Sequence, residues 1–357
     1  MDRPDRSKVD VSVIIPAYNG EKKIDVCVQS LIQCKTDGVA YEIIIVDDCS
    51  TDNTQGVCRE LEAQHPKIIK YYRLTSNSGV SAARNTGIAM SKGRFITFVD
   101  CDDFVTDGYL SGLLAGMSED VDLVCCGYYA VTERRLYQQG FFEADCLLCS
   151  ESEKEELLLR LLDDDYGRPS GQKRVTAIGV PWAKLFRANL IRERSISFPQ
   201  GLRRSEDNLF VMRYARFCRT VRYMDAPLYC YSIAHSKSFY YQFSPEVYQR
   251  IQKERDAFFN DYPNTLSRRV SAFRCAEKAV MLNAGVKYCV LHEPFAEAVR
   301  NAATMTDLPE FQMTLNHVDR SCLSIKQRIY LLLWRMLHHK RYRTVCVLWK
   351  LFLTMKQ

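Results

Sequence analysis

A chain of 357 residues that is 47% hydrophobic and 26% charged has the composition of a folded globular protein and enough apolar material for a large core, which excludes a disordered or fibrous chain. Its net charge of +6 is localised: from Ser321 to Gln357 there are eight Lys and Arg and no acid, while the remainder is slightly acidic, so no broad nucleic-acid-binding face is expected. Fifteen cysteines scattered through apolar segments read as buried, reduced thiols of a cytoplasmic protein; no stretch reaches the roughly 20 apolar residues of a membrane span, and polar Met1–Asp10 does not read as a secretion signal.

In chain order, Val11–Ile15 reads as a buried strand, ended by Pro16 and a turn over 17–20. Ile24, Val28, Leu31 and Ile32 recur at helical spacing over 22–34. Tyr41–Val46 is a second strand running into Asp47 and Asp48, and Thr51 or Asp52 can cap the helix that follows to Gln64. A third strand over 68–74 leads to a polar loop that opens a helix through Met90. After Gly93, strand Phe95–Val99 ends in Asp100, Cys101, Asp102 and Asp103. A helix over 107–117 and a strand over 121–128 complete an alternation that predicts an α/β fold with a doubly wound, mostly parallel sheet flanked by helices.

The regularity then falls away. A charged amphipathic helix over 151–165 precedes a polar loop over 166–174 that reads as a flap. Trp182–Phe186 resumes the core and leads into a helix to Arg194; Glu206 opens another helix to Cys218. Short strands follow over 220–224 and 228–233, and mostly helix from Pro245 onward. The expected organisation is a nucleotide-binding catalytic domain over 1–235, a helical region over 236–320, and a basic amphipathic helical tail over 321–357. In that tail Trp334 and Trp349 stand among leucines and basic residues, as in a helix lying on an anionic membrane surface; packing on the core is the alternative.

Three carboxylates at the mouth of a buried strand repel one another unless a cation sits among them. Hard oxygen ligands suit Mg²⁺ or Mn²⁺, commonly shared with substrate phosphates, although a solvated acidic turn has the same composition. Tyr18, Asp48 and the Asp100–Asp103 stretch all follow strands and should converge beyond the strand ends, where open α/β sheets bind ligands. No Gly-x-Gly-x-x-Gly follows the first strand and no Gly-Lys-Ser/Thr loop is present, which argues against nicotinamide-dinucleotide and P-loop sites. A nucleotide site built from carboxylates and a metal remains, with Tyr18 stacking on the base, Asp48 accepting from base or ribose, Asp100 on the ribose and Asp102 on the metal.

Val11–Asn19, Ile45–Asp52, Gly79–Gly87 and Val99–Asp103, in that order and spacing, resemble the family 2 glycosyltransferases, and the likeness continues through Trp182–Phe186 and Glu206–Phe210, which resemble later motifs of the bacterial members. The resemblance implies the GT-A fold and a metal-dependent, inverting transfer of a hexose or N-acetylhexosamine. The donor would be a UDP-sugar, and the recipient a hydroxyl of a glycan or lipid-linked acceptor. It places Pro16, Tyr18 and Asp48 at the nucleobase with Asp47 in support, Arg84 and Asn85 at the uridine and phosphates, Asp100 at the ribose, and Asp102 on Mg²⁺ or Mn²⁺. Asp103 is left open between support and helix cap. Asp207 is the implied general base, with Glu206 beside it toward the sugar. Trp182 is a sugar platform or a core residue, His235 a further metal ligand or a surface histidine, and Arg203 and Arg204 face an anionic acceptor or solvent. The readings set against this one are a nucleotidyltransferase, which would want a Gly-rich basic loop after the first strand, a non-catalytic nucleotide-binding partner subunit of a glycan-assembly complex, and a nucleic-acid binder using the tail.

Overall fold

The computed structural model describes residues 9–162, 178–202, 204–233, 245–261, 267–313 and 318–355. The expected flap over 166–174, His235 and Arg203 lie outside them. The chain forms two compact units, Met1–Ser236 and Lys237–Gln357.

In the first unit, β1 (Val11–Ala17), β2 (Tyr41–Asp47), β3 (Ile69–Arg73) and β4 (Phe95–Phe98) alternate with α1 (Ile24–Gln33), α2 (Thr54–Gln64) and α3 (Val80–Met90). These four strands pair in parallel in the order β3-β2-β1-β4, so the chain direction across the sheet reverses at β1. That reversal opens a crevice beyond the strand ends, between the segments that follow β1 and β4. Every residue of β1 and β4 is buried, which is why these strands read as continuous apolar runs instead of alternating ones. Helix α3 lies very close to β1: a Cβ on Gly87 would sit 2.3 Å from Ile14 Cγ2, so only glycine fits there.

The second half of the sheet is mixed. β5 (Phe104–Val105) and α4 (Tyr109–Ala115) precede β6 (Val121–Val131), and β7 (Leu136–Gln139), β8 (Cys146–Leu148) and α5 (Glu151–Leu162) follow it. β9 (Lys184–Arg187) inserts antiparallel between β4 and β6, and leads into α6 (Ala188–Glu193). α7 (Glu206–Ala215) then precedes β10 (Thr220–Ser232), which runs parallel to β6. The two short strands expected over 220–233 are one strand with a bulge between Met224 and Pro227, where the proline cannot donate to the ladder.

Phe98 of β4, Phe186 of β9, Phe198 and Phe210 of α7 form one aromatic cluster. Phe198 and Phe210 stack at 3.9 Å between centroids, and Phe98 meets all three others edge-on. The cluster fixes the first turn of α7 over the end of β4.

The second unit is helical. α8 (Pro245–Asn260), α9 (Arg268–His292), α10 (Phe295–Thr306), α11 (Ile325–His338) and α12 (Tyr342–Thr354) are its helices, and α10, α11 and α12 all pack on α9. The segment after Ser321 is therefore part of one bundle with the preceding helices and not a tail apart from them. Trp334 is 6% and Trp349 7% exposed; their indole N–H groups donate to Phe311 O at 3.1 Å and Asn283 Oδ1 at 3.4 Å. Both tryptophans face the bundle, which corrects the expectation that they lie in a membrane interface: each buried indole finds its partner inside the protein. Among the described residues no helix is long and apolar enough to cross a membrane.

Candidate active site

The loops after β1 and β2 are laced together. Asn19 Oδ1 accepts from Thr51 N at 2.8 Å, Asn19 N donates to Ser50 Oγ at 2.9 Å, and Gly20 N donates to Thr54 Oγ1 at 2.8 Å. Beneath them Asp47 is fully buried and accepts from Ser50, Tyr71 OH at 2.8 Å and Arg73 Nη1 at 2.9 Å. Asp48 is 4% exposed, and its two oxygens accept from Ser78 N at 2.7 Å and Gly79 N at 2.8 Å. Its carboxylate thus shapes the turn that opens α3, at the left-handed Gly79 (φ 87°), in place of the expected open position toward a base or ribose. Tyr18 is 48% exposed at the crevice; Pro16 is the penultimate residue of β1 and buried.

Arg84 is the centre of the site. Only 4% of its side chain is exposed; one arm donates to Asp100 Oδ1 at 2.9 Å and the other to Asp207 Oδ1. Its guanidinium lies 5.2 Å from the Phe198 ring centroid. The arginine expected at the donor phosphates instead joins the strand-end acid to the helix-start acid. Asn85, expected beside it at the uridine, is paired at both ends with the Phe198 backbone, at 2.9 Å each way. The structure does bring Arg84, Asp100 and Asp207 together, across 123 residues of sequence between Arg84 and Asp207.

The acidic stretch separates into three environments. Asp100 is held by Arg84. Asp103 is 2% exposed and accepts from Tyr229 OH at 2.6 Å and Ser232 N at 2.7 Å, so it ties β10 to the site and caps no helix. Asp102 is the open one, with 46% of its side chain exposed and Lys23 Nζ at 3.3 Å. Burial, then the Asp100 charge, pushes Asp103 up to about 8. Burial also raises Asp207 to about 7; the Arg84 charge pulls it down, while Glu206 and Asp100 push it up. Glu206 is raised, first by burial, and its Oε2 is buried without a hydrogen-bond partner.

Trp182 is 6% exposed and stacks on Tyr229 at 4.9 Å and Tyr231 at 5.3 Å. Its faces are taken by these tyrosines, which corrects the expectation of a sugar platform in favour of core packing. Two residues of the site were missed by sequence reading. Tyr229 donates to Asp103 and accepts from Asp100 N at 3.2 Å, joining both acids to β10. Lys184 is fully buried with no hydrogen-bond partner, 3.8 Å from the Phe141 ring centroid, and burial lowers it to about 8. A lone lysine within the apolar Trp182–Phe186 run is the signal that marks it. Replacing Tyr229 by phenylalanine removes both hydrogen bonds and is expected to cost about 1–3 kcal/mol of stability, read by chemical denaturation; an unchanged midpoint would show that the hydroxyl holds neither acid.

Four of the non-glycine residues with positive φ flank this site: Asn19, Cys49, Ala183 and Ser205, at 51°, 60°, 54° and 61°. Each adjoins a residue just described, namely Tyr18, Asp48, Lys184 and Glu206. Uncommon backbone conformations cluster at sites where side chains are aimed at a ligand.

The Glycosyl transferase family 2 model matches residues 12–166, the segment that carries β1 to β4 and the acidic stretch. EpsH of Bacillus subtilis (strain 168) is 28% identical over 334 residues, 90% of each chain. Residues 12–166 belong to glycosyltransferase family 2. A second relative, EpsJ of the same organism, is 28% identical over 257 residues, 71% of this chain and 70% of its own. The crystal structure of S. aureus TarS 1-349 superposes with a TM-score of 0.66 at 23% identity, over 96% of this chain and 91% of that one. The mixed, mostly parallel sheet with its helical C-terminal region is the GT-A fold, and the chain is a glycosyltransferase.

Proposed function

We propose that the chain transfers a hexose or N-acetylhexosamine from a UDP-sugar to a hydroxyl of a glycan or lipid-linked acceptor, with inversion, and with Asp207 as general base. The observation that carries this is the bridged pair: Arg84 holds Asp207 through Oδ1 alone, which leaves Oδ2 for a proton, in an environment that raises the carboxyl to about 7. A base whose pKa lies near the working pH is suited to accept a proton in the transition state. TarS, which shares the fold, has been crystallised with UDP-GlcNAc, which supports a uridine nucleotide donor here.

The attacking hydroxyl forms the new bond to the anomeric carbon from one face and passes its proton to Asp207 Oδ2. The bond to the diphosphate breaks on the other face and its electron pair leaves with UDP. Tyr18 stacks on the base at the exposed rim. Asp100, anchored by Arg84 and by Tyr229 through its backbone, presents its remaining oxygen to the ribose. Glu206, with one oxygen unpartnered, faces the sugar or acceptor hydroxyls.

Among the described residues no group of three or more His, Cys, Asp or Glu is arranged to hold a metal by itself. The donor set that does fit is Asp102 with the oxygens of a diphosphate, since Mg²⁺ and Mn²⁺ are commonly bound by one or two carboxylates plus substrate phosphates. A bound cation would neutralise the leaving diphosphate. A solved structure shows the mannosyltransferase PcManGT from Pyrobaculum calidifontis in complex with GDP-Man and Mn²⁺. Calorimetric titration of UDP with and without Mn²⁺ tests the site. Wild type is expected to bind at least about tenfold more tightly with the metal, and Asp102→Ala to lose that increment; metal-independent binding unchanged in Asp102→Ala would remove the cation from the proposal.

A further inference from the structure

With Trp334 and Trp349 turned inward, α11 and α12 still carry unpartnered apolar stripes. On α11, Ile325, Ile329 and Leu332 recur at i, i+4 and i+7 and are 76%, 51% and 59% exposed. On α12 and its C-cap, Leu348, Leu351 and Met355 recur at i, i+3 and i+7 and are 43%, 56% and 86% exposed. Ridges of this kind on two successive helices are more than the single exposed apolar residues normal on a protein surface. Three residues join the helices, with Lys340 in the left-handed region, and the two pack on each other as well as on α9.

Charge identifies the occupant. The segment from Ser321 onward contains eight basic residues and no acid. The Arg328 guanidinium is turned to the carbonyls of Ser321 and Leu323. Arg335, Lys340, Arg341, Arg343 and Lys350 are exposed and form no ion pair among the described residues. Apolar ridges flanked by unpaired cations are what an anionic lipid surface accepts: side chains enter the acyl boundary and cations meet headgroups. A second copy of the chain would set this acid-free segment against itself and incur like-charge repulsion.

We propose that α11 and α12 form a peripheral docking surface for an anionic bilayer, bound through Ile325, Ile329 and Leu332 on one helix and Leu348, Leu351 and Met355 on the other. Among the described residues no helix is long and apolar enough to cross a membrane, and in this proposal the two helices lie along the surface.

Flotation of the full chain with vesicles tests this. Binding to mixed phosphatidylglycerol–phosphatidylcholine vesicles is expected to exceed binding to pure phosphatidylcholine by at least about tenfold, and to fall steeply with salt. Leu332→Glu and Leu351→Glu, both at exposed positions, should each reduce binding by about tenfold while leaving the thermal unfolding temperature in place. Should both variants lose their folding transition, Arg343→Gln with Lys350→Gln takes their place and should reduce binding to the anionic vesicles alone. No flotation, equal flotation on both vesicle types, or a concentration-dependent dimer that Leu351→Glu dissociates without lipid would each overturn the proposal.

Discussion

Asp207→Asn is expected to lower kcat by about 10²–10⁴-fold, the usual worth of a positioned general base, while UDP binding measured by calorimetry stays within a few-fold of wild type. The substitution keeps the shape of the side chain and an oxygen for Arg84 to donate to, so it removes the proton acceptor and little else. The pH dependence follows from the same environment. Burial, followed by the Arg84, Glu206 and Asp100 charges, leaves Asp207 at about 7. The base works ionised, so wild-type kcat should rise through about pH 7 and level off above it; the variant's residual rate should lose that limb. A variant that retains more than about a tenth of wild-type kcat, or keeps the acid limb, would remove Asp207 from the role.

The sign for stability is opposite. A carboxyl whose folded pKa lies above its unfolded value binds more protons folded than unfolded between the two, so stability falls as pH rises through that window. Wild type should therefore lose stability from about pH 4 to pH 7. Asp207→Asn should flatten that slope without abolishing it, because Asp103, raised to about 8, titrates in the same direction. A site tuned for proton transfer is thus expected to cost stability at the pH where it works, a common compromise.

Arg84→Met is expected to have the other large effect. With 4% of its side chain exposed, Arg84 is the counter-charge of both Asp100 and Asp207. Removing one partner of a buried pair leaves uncompensated charge, and a loss of about 3–5 kcal/mol is expected by chemical denaturation at neutral pH, less at pH 5 where the carboxyls can protonate. The kinetic readout separates an electrostatic role from a merely structural one. Without the guanidinium the Asp207 pKa rises further, so the acid limb of kcat should move upward by about one unit or more. Arg84→Lys retains a charge but cannot span two carboxylates with a planar fork, and should restore stability more than it restores the limb. A folded Arg84→Met protein with an unshifted limb would show that Arg84 does not set the Asp207 proton affinity.

β1, β2 and β4 were legible because they are runs of buried, mostly apolar residues that lead into Ala17, Asp47 and Asp100, and the helices between them keep a regular period; Pro16 does not end β1, which runs one residue beyond it. Short edge strands carried no such signal. β7 is mostly exposed and polar, β5 has two residues, and the pairing of β9 between β4 and β6 depends on neighbours remote in sequence. In the site, residue types pointed to the right place, but partners were not readable. Nothing in Asp48 foretells that its oxygens hold the Ser78–Gly79 turn, or in Arg84 that it reaches a residue more than a hundred positions away. Trp182, Trp334 and Trp349 show the same limit: composition says an aromatic face is present, and only packing says which way it turns.

The two-armed arginine has a consequence for the order of events in turnover. Its arms share one positive charge between the ribose-side acid and the acceptor-side base, so a ligand that draws on Asp100 alters how fully Arg84 is engaged by Asp207. On the proposed reading, a donor hydroxyl that takes over Asp100 frees the guanidinium to favour the ionised form of Asp207, so the carboxylate is fully ionised, and able to accept a proton, only once the donor is in place. By reciprocity, protonating Asp207 must change donor affinity by the same factor. The free enzyme would then keep Asp207 partly protonated, and binding of the donor would itself convert the site to the ionised state in which transfer can begin.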